Sequence, residues 1–144
     1  MGSRRVDSVA PMPLRLVCVV GRDGSPVFHV AAPGVSETEV PGLMTVAFAA
    51  MDAVDDRLAA DKAVSGFLGE VLLFEELRVF ALVAVSGVRV LLLGDERDAD
   101  TAREVAAAVL RRLVEALQNP FQPLRGEVRS PRLRAQVLHL MGRP

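Results

Sequence analysis

Few side chains in this chain could carry out chemistry. It has two histidines (His29 and His139), one cysteine (Cys18), and no tryptophan or tyrosine. The densest group of ionisable side chains is Asp52, Asp55 and Asp56, at spacing i, i+3, i+4. On a helix these positions share a face. They admit three readings: a divalent-cation site, a solvated helix end, or an interface that meets a partner's basic group. Acidic cation-binding helices of prenyl-transfer type need a second acidic motif in a larger all-helical barrel, and the chain offers neither. The cluster falls near the end of a helix expected to finish at Leu58, where carboxylates oppose the macrodipole. Relief by a partner's cation is therefore one reading of it, beside simple solvation.

The other candidates are weaker. His29 lies mid-strand between Phe28 and Val30, which suits a hydrogen-bonded structural histidine. His139 has no adjacent Ser, Cys or carboxylate to activate it, so neither histidine supports general acid–base catalysis. Cys18 sits among valines and reads as a buried, inert thiol. A single cysteine excludes an internal disulfide and a cysteine-based zinc knuckle. The glycine-containing turn Gly21-Arg22-Asp23-Gly24-Ser25 joins strand to strand, so it cannot aim helix N–H groups at a phosphate. No nucleophile elbow, P-loop, dinucleotide fingerprint or zinc-protease motif is present. No catalytic, cofactor-binding or metal-binding residue is assigned, no cofactor is expected, and the expectation is a protein that is not an enzyme.

The elements that hold these residues are clearer. The run from Phe67 to Asp95 reads as three strands, 70–74, 77–85 and 88–94, rich in Val, Leu and Phe. Glu75-Glu76 and Ser86-Gly87 are the turns, with Gly87 supplying a positive φ. Residues 14–20 form a first strand, apolar on both faces and hence central. Residues 27–32 return as its hairpin partner. A polar loop, 33–42, precedes a helix over 43–58 with its core stripe on Leu43, Ala47, Met51, Val54 and Leu58. Val46 and Phe48 are left on the flanks of that stripe, which implies a helix buried on more than one side. A second helix spans 100–118, with a Thr101/Glu104 capping box. It stops at Asn119-Pro120. A third short helix opens at Ser130-Pro131. The order is ββαβββαα, an α+β class fold and not a parallel βαβ fold. Residues 1–12 read as a flexible extension, and 13–144 as one domain.

Composition sets outer limits. Hydrophobic residues make up 51% of the 144, a surplus over what one core needs. Such a surplus suggests faces buried in an assembly. A formal charge of −1 gives no whole-protein attraction to nucleic acid or to an anionic membrane. The segment after Pro120 is locally basic, with Arg125, Arg129, Arg132, Arg134 and Arg143 against Glu127. It reads as a solvated tail or as a partner or lipid contact. No run reaches the length of a membrane span, and the N-terminus lacks a secretory apolar core. A cytosolic location is the expectation.

Three blocks carry a family resemblance. Met51-Asp52-Ala53-Val54-Asp55-Asp56 matches a recurrent Leu-Asp-x-Val-Asp-Glu pattern, placing Asp52 and Asp55 on its two aspartates. The meander aligns without a gap, sharing Leu68-Gly69, Val79 and Asp95. Asn119-Pro120-Phe121, a basic loop and Ser130 match the third. On these the chain resembles the sedlin family of TRAPP complex subunits, most closely its two-like branch. The meander has Leu or Val where family members carry aromatics, and Gln122 follows Phe121 in place of another. The loop 33–42 and residues 1–12 have no counterpart.

The resemblance implies a longin-like, SNARE-like domain: a five-stranded antiparallel sheet with one helix on one face and two on the other. It implies an adaptor that assembles with other TRAPP subunits into a tethering complex activating Rab GTPases. That complex would act in ER–Golgi traffic, cytoplasmic and at most peripheral to Golgi or endoplasmic-reticulum membranes. The expected partner contacts are Val46, Phe48, Ala49 and Asp52 on the first helix, and Asn119, Pro120 and Phe121. Two rivals remain: sedlin itself or another longin-type regulator and, from a different class, a small-molecule sensor with a ligand-sized apolar cavity.

Overall fold

The computed structural model describes residues 14–61, 65–95, 97–118, 128 and 130–142. The expected extension, residues 1–12, lies outside them. The element order is β1 (Leu14–Val20), β2 (Pro26–Ala31), α1 (Val40–Asp61), β3 (Gly66–Phe74), β4 (Leu77–Val83), β5 (Arg89–Gly94), α2 (Ala99–Leu117) and α3 (Pro131–Met141). The strands form one antiparallel sheet in the order β2-β1-β5-β4-β3. The α1 connection therefore carries the chain from one edge of the sheet to the other.

Alternation along each strand sorts the apolar residues between two layers. From β1, Val17 and Val19 face the layer of α2 and α3, whereas Leu16, Cys18 and Val20 face α1. β5 divides in the same way: Val90 and Leu92 go to one layer, Leu91 and Leu93 to the other. Central strands covered on both faces must be apolar at nearly every position, which is why β1 from Leu16 to Val20 and β5 from Val90 to Leu93 read as hydrophobic runs, with Arg15 and Arg89 only near their starts. One helix thus covers one face and two cover the other, the longin-like arrangement.

The boundaries differ from the sequence reading in instructive ways. α1 begins at Val40, because Pro41 and Gly42 fall in its first turn, where a missing N–H costs nothing. It also continues to Asp61, one turn past the expected end. β3 begins at Gly66 and contains two register shifts, one at Gly69, whose φ is +77°. β4 ends at Val83, so the final hairpin turns through Val85–Gly87 rather than through two residues. It is closed by the Ala84 N–H donating to the Val88 carbonyl at 2.8 Å. Gly87 has φ +95°, and a Cβ there would meet Arg22 side-chain atoms at 2.8–2.9 Å, so both backbone and neighbour require glycine.

The cap of α2 is also not the one expected. Asp98, three residues before Thr101, is the N-cap: its Oδ1 accepts from the Asp100 N–H at 3.0 Å. Its Oδ2 accepts from the Thr101 hydroxyl at 2.9 Å, so Thr101 braces the cap from inside the first turn. A carboxylate complements the helix dipole better than a hydroxyl, and the helix starts where the charge is. Ser130 caps α3 as expected, accepting from the Leu133 N–H at 3.1 Å, with Pro131 in the first turn.

Candidate partner-binding surface

The inner line of α1 is fixed by the sheet. Leu43, Ala47, Ala50, Met51 and Val54 are buried, and Leu58 packs against them in part. Two polar anchors hold the helix's second half. Arg89, at the start of β5, is 2.7 Å from the Asp55 carboxylate, and its side chain is only 12% exposed. Arg57 donates to the Leu68 carbonyl of β3 at 2.7 Å. With Asp55 turned to Arg89, Asp52 and Asp56 remain as the outward carboxylates of the cluster. Neither has a side-chain partner among the described residues.

The outer half of α1 exposes Thr45, Phe48, Ala49, Asp52 and Asp56. Phe48 is 42% exposed, a large apolar side chain on a helix otherwise seated on its sheet. Covering the remainder would be worth about 2 kcal/mol at the usual area coefficient. The expectation of burial on more than one side is thus not met within the chain. One side is buried and the other is bare.

The structure also separates residues that the sequence reading grouped. Val46 and Phe48 lie on opposite flanks, about 160° apart at helical spacing. Val46 is half-buried and turned to the β3–β4 hairpin, whereas Phe48 stands clear. Ala49 and Asp52 lie between them on the exposed side. The helix's extra turn removes part of the electrostatic argument as well. Asp52 sits mid-helix, and the macrodipole acts only within the last turn, so the dipole cost does not reach it. Asn119, Pro120 and Phe121 lie outside the described residues.

The candidates for chemistry occupy structural positions. Cys18 is fully buried on the α1 side of the sheet. His29 is half-buried on edge strand β2, where its Nδ1 is buried without the expected hydrogen bond among the described residues, and His139 is exposed in the last turn of α3. Among the described residues no group of three His, Cys, Asp or Glu side chains is close enough to hold a metal ion. Nor is any helix among them long and apolar enough to cross a membrane.

Sequence reasoning missed one feature, an open groove of about 780 Å³ where the first turns of α1 meet the β3–β4 hairpin. Its walls come from segments far apart in the chain, with Leu43, Val46, Phe74 and Leu77 as apolar lining. Phe74 is 53% exposed and its neighbour Leu73 is 52% exposed. The one available signal was local: two glutamates in the turn, directly after the apolar pair Leu73-Phe74 that ends the strand expected over 70–74.

A protein-family model described as Sedlin matches residues 19–143, nearly the whole of this architecture. The chain belongs to the sedlin family. Among curated proteins, none matches it. Sedlin-family proteins are non-catalytic trafficking subunits of TRAPP-type complexes.

Proposed function

We propose that this chain is a non-enzymatic adaptor of a TRAPP-type tethering complex that activates a Rab GTPase in ER–Golgi or Golgi vesicle traffic. It acts in the cytoplasm, peripheral to those membranes, by binding other TRAPP subunits. The exposed face of α1 is the contact, with Phe48 and Ala49 as the apolar part and Asp52 as the charged part. Asn119-Pro120-Phe121 supplies a second contact. The observation that carries this reading is Phe48, left 42% exposed beside an outward Asp52 on an otherwise well-seated helix. An aromatic anchor next to a charge suits the centre of a specific interface.

The test is Asp52→Tyr. Because Asp52 is exposed and has no side-chain partner among the described residues, the variant keeps the circular dichroism spectrum and melting temperature of the parent. Its co-purification with TRAPP subunits falls by about tenfold or more, as expected for a residue at the core of an interface. Normal co-purification, or an unfolded variant, removes Asp52 from the contact. Sedlin itself, or another longin-type regulator, remains the alternative within the family, and the set of co-purifying subunits separates the two. The sensor alternative has less support, since the groove noted above is open and rimmed by charge.

A further inference from the structure

The groove between α1 and the β3–β4 hairpin has a definite chemistry. Its lining is mixed, with Leu43, Val46, Phe74 and Leu77 beside Thr38 and the carboxylates of Glu39, Glu75, Glu76 and Asp95, against Arg15. Arg15 is already committed to Glu39. Glu39 is further held by the Ser36 N–H and hydroxyl, each at 3.1 Å. These two bonds, the backbone one first, and then the Arg15 charge keep its carboxyl below its usual range. Asp95 lies 3.7 Å from Arg97, a loose and exposed pair. Glu75 and Glu76 have no cation beside them among the described residues. Together they set negative charge beside the apolar part of the lining, in which Phe74 is half exposed.

We propose that this groove binds an extended segment of a partner protein in which arginine or lysine flanks an aliphatic or aromatic side chain. The apolar side chain packs on Phe74, Leu77 and Val46, and the flanking cations meet Glu75 and Glu76. The sign of the rim decides the class of occupant. A nucleic-acid backbone or an anionic lipid headgroup is repelled by the carboxylates, and neither supplies the apolar anchor that the apolar part of the lining accepts. The groove uses a different part of the surface from Asp52, which does not line it. The inference rests on the adaptor reading only in taking the occupant to be a protein.

The experiment uses the full chain and two fluorescein-labelled peptides read by anisotropy: Gly-Arg-Leu-Arg-Phe-Arg-Leu-Gly, and the same peptide with glutamate at each arginine. The arginine peptide binds saturably and more weakly as salt is raised, and the glutamate peptide binds at least about tenfold more weakly. The double variant Glu75→Lys/Glu76→Lys loses about tenfold or more, as does Phe74→Ser, while Asp56→Lys and Asp52→Tyr bind like the parent. Circular dichroism confirms folding, and Glu75→Gln/Glu76→Gln replaces the charge reversal if that variant fails to fold. No saturable binding, equal binding of the two peptides, or indifference to the groove substitutions overturns the proposal. So does tighter peptide binding after Arg4→Glu/Arg5→Glu, which assigns the groove to the chain's own N-terminal residues. Self-association abolished by the groove substitutions assigns it to a second copy instead, and also overturns the proposal. Because Asp52→Tyr is scored on both readouts, failure of this inference and failure of the adaptor reading are distinguishable.

Discussion

Asp98 holds its charge where the first turn of α2 offers otherwise unpaired N–H groups. Bonds from the Thr101 hydroxyl, then from the Asp100 N–H, pull its carboxyl below the ordinary aspartate range. Asp23 is lowered likewise by the Ser25 hydroxyl and then by the Ser25 N–H. A carboxyl whose pKa is depressed on folding contributes stability above its unfolded pKa, about 4. That contribution is lost as pH falls through the folded value. The domain is therefore expected to weaken on acidification below about pH 4, and Asp98 is one source. Asp98→Asn keeps a capping oxygen but removes the titration. Urea unfolding followed by circular dichroism should show the variant less stable than the parent at neutral pH. The gap should close in strong acid, where the parent's carboxyl is also neutral. A gap independent of pH would mean that the cap acts through hydrogen-bond geometry alone.

At the scale of the element, α1 illustrates what a pattern can and cannot specify. Its inner stripe was legible because Leu43, Ala47, Met51 and Val54 recur at helical spacing, and these residues are buried. Its ends were not, because Pro41-Gly42 looks like a loop until the first turn is seen to tolerate it. All three hairpins were legible from turn residues between apolar runs. The bulges of β3, the cap at Asp98 and the groove were not, since each depends on register or on segments distant in sequence. The helical pattern leaves Phe48 on the flank of the stripe, whereas pairing it with Val46 requires a face that the helix does not have. The anchor at Asp55 was equally hidden, as its partner Arg89 lies on β5. It makes a clear prediction. Asp55→Asn removes the charge that answers a guanidinium only 12% exposed, whose Nε already has no hydrogen-bond partner among the described residues. The cost should be about 1–2 kcal/mol, discounted because the carboxylate itself is half exposed. Asp56→Asn, one residue on and facing water, should fall within about 0.5 kcal/mol of the parent. Chemical denaturation of the two variants distinguishes the roles of adjacent, identical side chains.

For the whole molecule, the sheet is a wall shared by two cores of unequal cover. Two helices close one side, and α1 alone closes the other while leaving its outer half bare. The two cores nevertheless share their strands, because alternate residues of one strand serve each. Leu91 and Leu92 are adjacent on β5, both fully buried, one packed toward α1 and the other toward α2 and α3. Truncating either opens a cavity in one layer only, and each change to alanine should cost about 2–5 kcal/mol. If the strand transmits the loss, each variant unfolds in one transition with an unchanged denaturant slope, and the far-ultraviolet signal and amide hydrogen exchange of both layers move together. Two separated transitions in Leu91→Ala, with α1 exchanging first, would show instead that the single-helix layer opens by itself. Coupling matters for an adaptor: a partner that covers α1 then stabilises the whole domain, including the α2–α3 layer it never touches. With the layers uncoupled, the same partner would protect α1 alone. Hydrogen exchange of α2 and α3, compared between the free and the subunit-bound chain, distinguishes these outcomes.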